Sequence, residues 1–182
     1  MKLKAASLSF VLVIATQIAS AQEPEEPTQG QLDSQAAAQD AQMDCDGADD
    51  GCDQLRNWIL QVIKANLDVR SDCLDEGATP AQLASGDTSD SLGDLGWQLG
   101  YQDLDDDAIP NKGFADTDFD AAEQDWMAEM YASAAGKYDS ATFFYGEAEE
   151  WFNEAYLDFS DANGHYSDAL SAYETLLMEL VM

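Results

Sequence analysis

Apolar residues recur at helical spacing in two parts of the chain. Leu55, Ile59, Val62, Ile63 and Leu67 fall at i, i+4, i+7, i+8 and i+12, one face of a helix, with Asp53 placed to cap it and Trp58 on its flank. In the C-terminal third, Phe119, Ala122, Trp126, Met130 and Ala134 run at the same period up to Gly136. Tyr138, Ala141, Tyr145, Ala148, Phe152, Ala155, Tyr156 and Phe159 continue on one face. Asn163-Gly164 reads as a helix stop. Tyr166, Ala169, Leu170, Tyr173, Leu176, Leu177 and Leu180 then make another amphipathic stripe. Fourteen of the 18 aromatic residues lie between Phe114 and Tyr173, which places the main core there. The pattern predicts a mainly α fold: a small aromatic-rich C-terminal bundle of three helices, one further N-terminal helix, acidic loops and a disordered N-terminal tail.

Between these stripes the signals are those of turns. Residues 22–43 are Gln, Ala, Pro and acid with one large aliphatic, Leu32, and are expected to be a disordered tail. Residues 44–53, DCDGADDGCD, read as a short acidic loop bounded by two cysteines. Residues 77–102 are rich in Gly, Ser and Asp, and LGDLGWQLGY within them has no assignable period. Residues 103–120 form an acidic loop interrupted by Pro110 and Gly113. The expected divisions are therefore 22–43, 44–102 (a cysteine-containing helical and irregular region), 103–120 and 121–182, after an N-terminal segment 1–21.

A weak internal repeat crosses the last of these. Gly136-Lys137-Tyr138-x-x-Ala141-x-x-x-Tyr145 matches Gly164-His165-Tyr166-x-x-Ala169-x-x-x-Tyr173 at an offset of 28 residues. The pattern resembles the second half of a tetratricopeptide repeat, whose unit is about 34 residues. That resemblance implies helical hairpins and a protein-binding role. An ordinary three-helix bundle accounts for the same residues.

Residues 1–21 have the build of a secretory signal peptide: Lys2 and Lys4, an apolar run from Leu8 to Ile14, and Ala19-Ser20-Ala21 as a cleavage site before Gln22. A secreted or extracellular location is expected, periplasmic in a bacterium, where disulfides form. The 182 residues carry 37 acidic and 7 basic side chains, a net charge of −30. Such a chain is a poor partner for nucleic acid, which needs cations to displace counterions, and for anionic membranes.

Chemistry is sparse. His165 is the one histidine and sits at a predicted turn, so no nucleophile–base motif is visible and no enzyme is expected. Three cysteines and one histidine lack paired zinc-ligand spacing. Cys45–Cys52 is the preferred disulfide, with Gly47 and Gly51 to bend the loop; Cys45–Cys73 is stretched, and Cys52–Cys73 requires the intervening helix to break. Cys73 is then free or links two chains as a covalent homodimer. The alternating Asp103, Asp105, Asp107 and Asp116, Asp118, Asp120 are candidate ligands for calcium, since D-x-D-x-D loops converge carboxylates on a hard cation. The run DLDDDAIPN resembles the acidic calcium loops of type 3 thrombospondin repeats and dockerins. Ala108 and Ala121 stand where an EF-hand loop has Gly, and Phe114 and Met127 where it has its bidentate Glu, so the affinity expected is weak, in about the millimolar range. Two functional expectations follow. One is a secreted acidic matrix protein that meets calcium ions or a mineral surface, as in biomineralisation. The other is an exported helical module that binds another protein through its aromatic bundle.

Overall fold

The computed structural model describes residues 26–182. The signal-peptide expectation for 1–21 lies outside the described residues. Four α-helices follow in order: α1 (Gln29–Asp75), α2 (Pro80–Asp103), α3 (Ile109–Met127) and α4 (Tyr131–Val181). A single π-helical turn, Leu104–Ala108, joins α2 to α3 without a break. The chain therefore forms three rods, and the mainly α expectation holds. At about 1.5 Å per residue, the 47 residues of α1 span about 70 Å.

Contact numbers give the directions of the rods. The rings of Tyr173, Tyr166 and Phe159 of α4 lie against Gly86, Gly93 and Gly100 of α2, so one series falls as the other rises and the two rods are antiparallel. Between α1 and α4 the numbers rise together. The Cys52 thiol, the Asn66 amide and the Cys73 thiol donate to the carbonyls of Phe152, Tyr166 and Tyr173, each 100 positions on. These rods are parallel and in register.

The reason for such long helices is a strict seven-residue repeat. On α4 the buried aromatics Tyr138, Tyr145, Phe152, Phe159, Tyr166 and Tyr173 stand seven apart. Beside them runs a second buried column, Ala134, Ala141, Ala148, Ala155, Ala162 and Ala169, ending in Leu176. On α1 the buried column is Ala38, Cys45, Cys52, Ile59, Asn66 and Cys73, again at sevens. Small residues on α1 and on α2 let both rods come close to α4, and the aromatic rings fill the space this leaves.

Glycine is required where the rings sit. A Cβ at Gly93 would stand 2.8 Å from the Tyr166 ring, and one at Gly100 2.7 Å from that of Phe159. From the last residue of the π turn the small column continues as Ala108, Ala115 and Ala122. From Gly100 to Ala108 is eight positions instead of seven. The wide π turn absorbs the extra residue and keeps the α3 column on the same seam.

Sharp turns end the rods. Past Glu76, Gly77 takes φ 89°, with Ala78 N–H on the Cys73 carbonyl and Gly77 N–H on that of Leu74, a Schellman closure. Pro80 then opens α2, behind Thr79, whose N–H donates to the Gln82 side chain. The second turn has the same hydrogen bonding, Met130 N–H to Asp125 and Glu129 N–H to Trp126, but places Glu129 at φ 60°. Lys137 and Ser133 reach back to the buried Asp125 and fasten α4 to α3.

Several finer expectations are corrected. Residues 29–43, expected to be disordered, are the first turns of α1, started by a Thr28–Gln31 capping box and held on Tyr138 and Glu123 through Gln35. The acidic loops 44–53 and 103–120 are helix, because Cys45, Cys52, Ala108 and Ala115 belong to buried columns. The three C-terminal helices are the end of α3 and one continuous α4, with Gly136, Asn163 and Gly164 inside it. The 28-residue repeat is four heptads of that one helix, not two helical hairpins.

Candidate interaction groove

Each tyrosine of the α4 column carries its hydroxyl to a carboxylate on the facing rod. Tyr173 shares its one hydroxyl proton between Asp87 at 2.8 Å and Asp90 at 2.7 Å, and Tyr166 donates to Asp94 at 2.7 Å, Tyr145 to Asp116 at 2.7 Å, and Tyr138 to Glu123. Asp87, Asp94, Asp116 and Glu123 each follow the small residue of the seam, Gly86, Gly93, Ala115 and Ala122. At the two levels where α4 has Phe159 and Phe152, the residues following the small one are Tyr101 and Ile109. Hydroxyl and carboxylate thus match level by level, and a slipped register would strand them. Burial, and then the accepting carboxylate, pushes these phenols up, Tyr138 to about 12.

The six aspartates proposed as calcium ligands are distributed by this geometry. Asp103 ends α2 half-buried, Asp105 and Asp107 lie in the π turn, and Asp116, Asp118 and Asp120 are on α3. Asp116 accepts from Tyr145 and Asp118 from Ser140 at 2.6 Å. On a helix a two-residue step turns about 200°, so alternating residues point to opposite sides. The six do not converge; Asp103 and Asp107, four apart, do share a face. Among the described residues no group of three or more His, Cys, Asp or Glu side chains is placed to hold a metal ion.

The cysteines are free and buried. Cys45 and Cys52 stand two turns apart on α1, about 10.5 Å of rise, beyond the reach of a disulfide. The preferred Cys45–Cys52 pair is therefore corrected. Cys73 is sealed under Tyr173, so a covalent dimer through it needs α1 to lift from α4. Burial pushes the Cys45 thiol up to about 12 and that of Cys52 to about 11, which makes both poor nucleophiles. His165 lies on α4, half-buried and 3.6 Å from Asp161.

What the geometry does assemble is a groove between α4 and the α2–π–α3 rod. At one end the Phe114 ring of α3 meets that of Phe144 at 5.6 Å, and Phe143 meets Phe144 at 5.3 Å. Phe114 is 57% and Phe143 61% exposed. Glu147, Trp151 and Glu154 follow Phe144 at i+3, i+7 and i+10 on the same side of α4. With Asp103 and Glu150 they line a cleft of about 530 Å³ beside the π turn. The Asp103 carboxyl is pushed up by burial and by its neighbours Asp158, Glu154 and Asp107.

Among the described residues no Lys or Arg forms an ion pair with these acids. Four of the basic groups are committed elsewhere: Arg56 to Asp53, Arg70 to Asp87, Lys112 to Asp46 and Asp49, and Lys137 to Asp125. Residues 71–111 and 138–182 contain no Lys or Arg. Sequence analysis does not reach the groove: Phe114 falls in the stretch expected to be an acidic loop, and Trp151 lies off the stripe read as the helix face. The signal available was Phe144, Trp151 and Asp158, seven apart and one position before the buried aromatic column.

Fold and surface together define an acidic three-helix rod in which the α2–π–α3 rod runs antiparallel to α1 and α4. No protein-family model, curated protein or solved structure matches the chain. No helix among the described residues is long and apolar enough to cross a membrane.

Proposed function

We propose that the protein is an exported, non-enzymatic interaction module: an acidic helical rod that presents a binding face to another protein. The observation that carries this is the pair of exposed rings, Phe114 of α3 and Phe143 of α4, both packed on the half-buried Phe144, so that two rods join in one exposed aromatic cluster. Export rests on the Lys2-to-Ala21 pattern. The calcium or mineral reading draws on charge density alone, now that the alternating aspartates point apart. It becomes a proposal of diffuse cation condensation along the rod.

The two readings separate in one calorimetric comparison at fixed ionic strength: calcium chloride against a basic amphipathic peptide. The module reading expects saturable, stoichiometric peptide binding, and calcium heats that sodium reproduces. Stoichiometric calcium binding without saturable peptide binding would replace it with the calcium reading.

A further inference from the structure

We infer that the groove beside the π turn docks a basic amphipathic helix of a partner protein, an apolar side chain resting on Phe114 and Phe143 and its Lys or Arg residues meeting Glu147, Glu150 and Glu154 beside Trp151. The inference rests on the module reading and adds the surface and the partner's chemistry.

Three features select this occupant. The aromatic end is exposed, and its rings already stack on one another, so an apolar anchor meets a preformed surface at little ordering cost. The other end is a cleft whose walls carry four carboxylates and whose aromatic side is Trp151, a surface suited to ammonium or guanidinium groups. Both walls come from stretches free of Lys and Arg, so the cleft offers an uncompensated acidic surface to a basic partner. A second copy of this chain would bring like charge to the same place. The groove follows α4, and anchors at i, i+3, i+4 and i+7 on a helix laid along it would meet its aromatic and acidic ends in turn.

The experiment measures anisotropy of a labelled synthetic helix of about 15 residues, Leu on one face and Lys on the other, against the full processed chain. One groove variant is Phe114→Ser with Phe143→Ser, and another is Glu147→Gln with Glu150→Gln and Glu154→Gln. Controls are Leu92→Ser with Leu95→Ser on the outer face of α2, and Asp68→Asn with Asp72→Asn and Asp75→Asn, which removes the same charge from α1. Circular dichroism verifies that each variant is folded; all substituted groove side chains are exposed or half-buried, so the fold does not depend on them.

Binding about tenfold weaker or more in both groove variants, with the controls unchanged, is the expected result. Equal weakening by the two charge-removing triples, with no effect of the phenylalanine changes, overturns the groove and leaves the module reading standing. So does loss of binding only in the α2 outer-face control. A wild-type dimer in sedimentation that Phe114→Ser dissolves overturns it too, since the face then belongs to a second copy. Absence of saturable binding by the wild type overturns both the groove and the module reading.

Discussion

The ring of Tyr166 occupies the space where a side chain on Gly93 would stand, and its hydroxyl donates to the next residue, Asp94, at 2.7 Å. One level of the rod thus joins two requirements, a missing Cβ and a present carboxylate. The glycine admits the ring, and the carboxylate fixes where its end goes. The same pairing recurs at Gly86 with Tyr173 and Asp87.

Glycine substitutions should therefore sort by column. Gly93→Ala forces the Tyr166 ring aside and should lower stability by about 1–3 kcal/mol. Gly113→Ala and Gly146→Ala, where a Cβ meets open space, should raise it by about 0.5–1 kcal/mol, as Ala does in a helix interior. Urea unfolding of the three variants decides; the same sign for all three would refute the seam.

The tyrosine–carboxylate levels set an alkaline limit. In the unfolded chain tyrosine ionises near pH ~10. In the fold, burial and the facing carboxylates hold these phenols protonated, with Tyr138 up to about 12. Their folded pKa is raised, so this contribution is complete below about pH 10 and is lost as pH rises toward 12 and beyond. Thermal melts between pH 8 and 12 should show a falling midpoint above 10. Replacing Tyr138, Tyr145, Tyr166 and Tyr173 together by Phe should flatten that fall.

On the acid side, the Arg70 guanidinium, and then the Tyr173 hydroxyl, hold Asp87 below the usual carboxylate range; Lys137 and Ser133 do the same for Asp125. Folded pKa values that are lowered give stability present above the ordinary value and lost as pH falls through the folded one. Asp125→Asn should therefore lessen the loss of stability between about pH 4 and 2, read from chemical melts.

Glu129 holds φ 60° at the end of α3, where a side chain costs about 1 kcal/mol that glycine does not incur. Glu129→Gly should raise the unfolding free energy by about that amount, whereas Gly77→Ala at φ 89° should lower it.

Thiol accessibility checks the helical course of α1. All three cysteines should resist a thiol reagent in the native protein and react fully in denaturant. A Cys45–Cys52 disulfide found by peptide mapping would mean that α1 is broken at Gly47–Gly51.

How far the fold could be read from sequence depended on side-chain size. The aromatic column of α4 is legible because Tyr and Phe recur at sevens. Its continuity was hidden by Gly136 and by Asn163-Gly164, which carry stop chemistry but lie inside a helix packed along its whole length. The α2 rod was nearly invisible, since its seam residues are Gly86, Gly93 and Gly100, with no side chain to register in a hydrophobic pattern. Cys45 and Cys52 looked like loop cysteines, although their spacing of seven is shared with Ile59, Asn66 and Cys73. Of the candidate calcium ligands only Asp103 falls in the groove cleft. Alternation is informative for a loop and misleading on a helix.

The π turn makes one point of the seam tolerant of a change in chain length. The residue it accommodates separates two helical stretches that are each in step with α4 but one position out of step with each other. Removing a single residue from 104–108 would bring the stretches back into phase as one uninterrupted α-helix. A deletion anywhere else in the middle of α2, α3 or α4 would dephase every level beyond it. Among the described residues this short segment is therefore the place in the seam where the chain can shed a residue and keep its pairing.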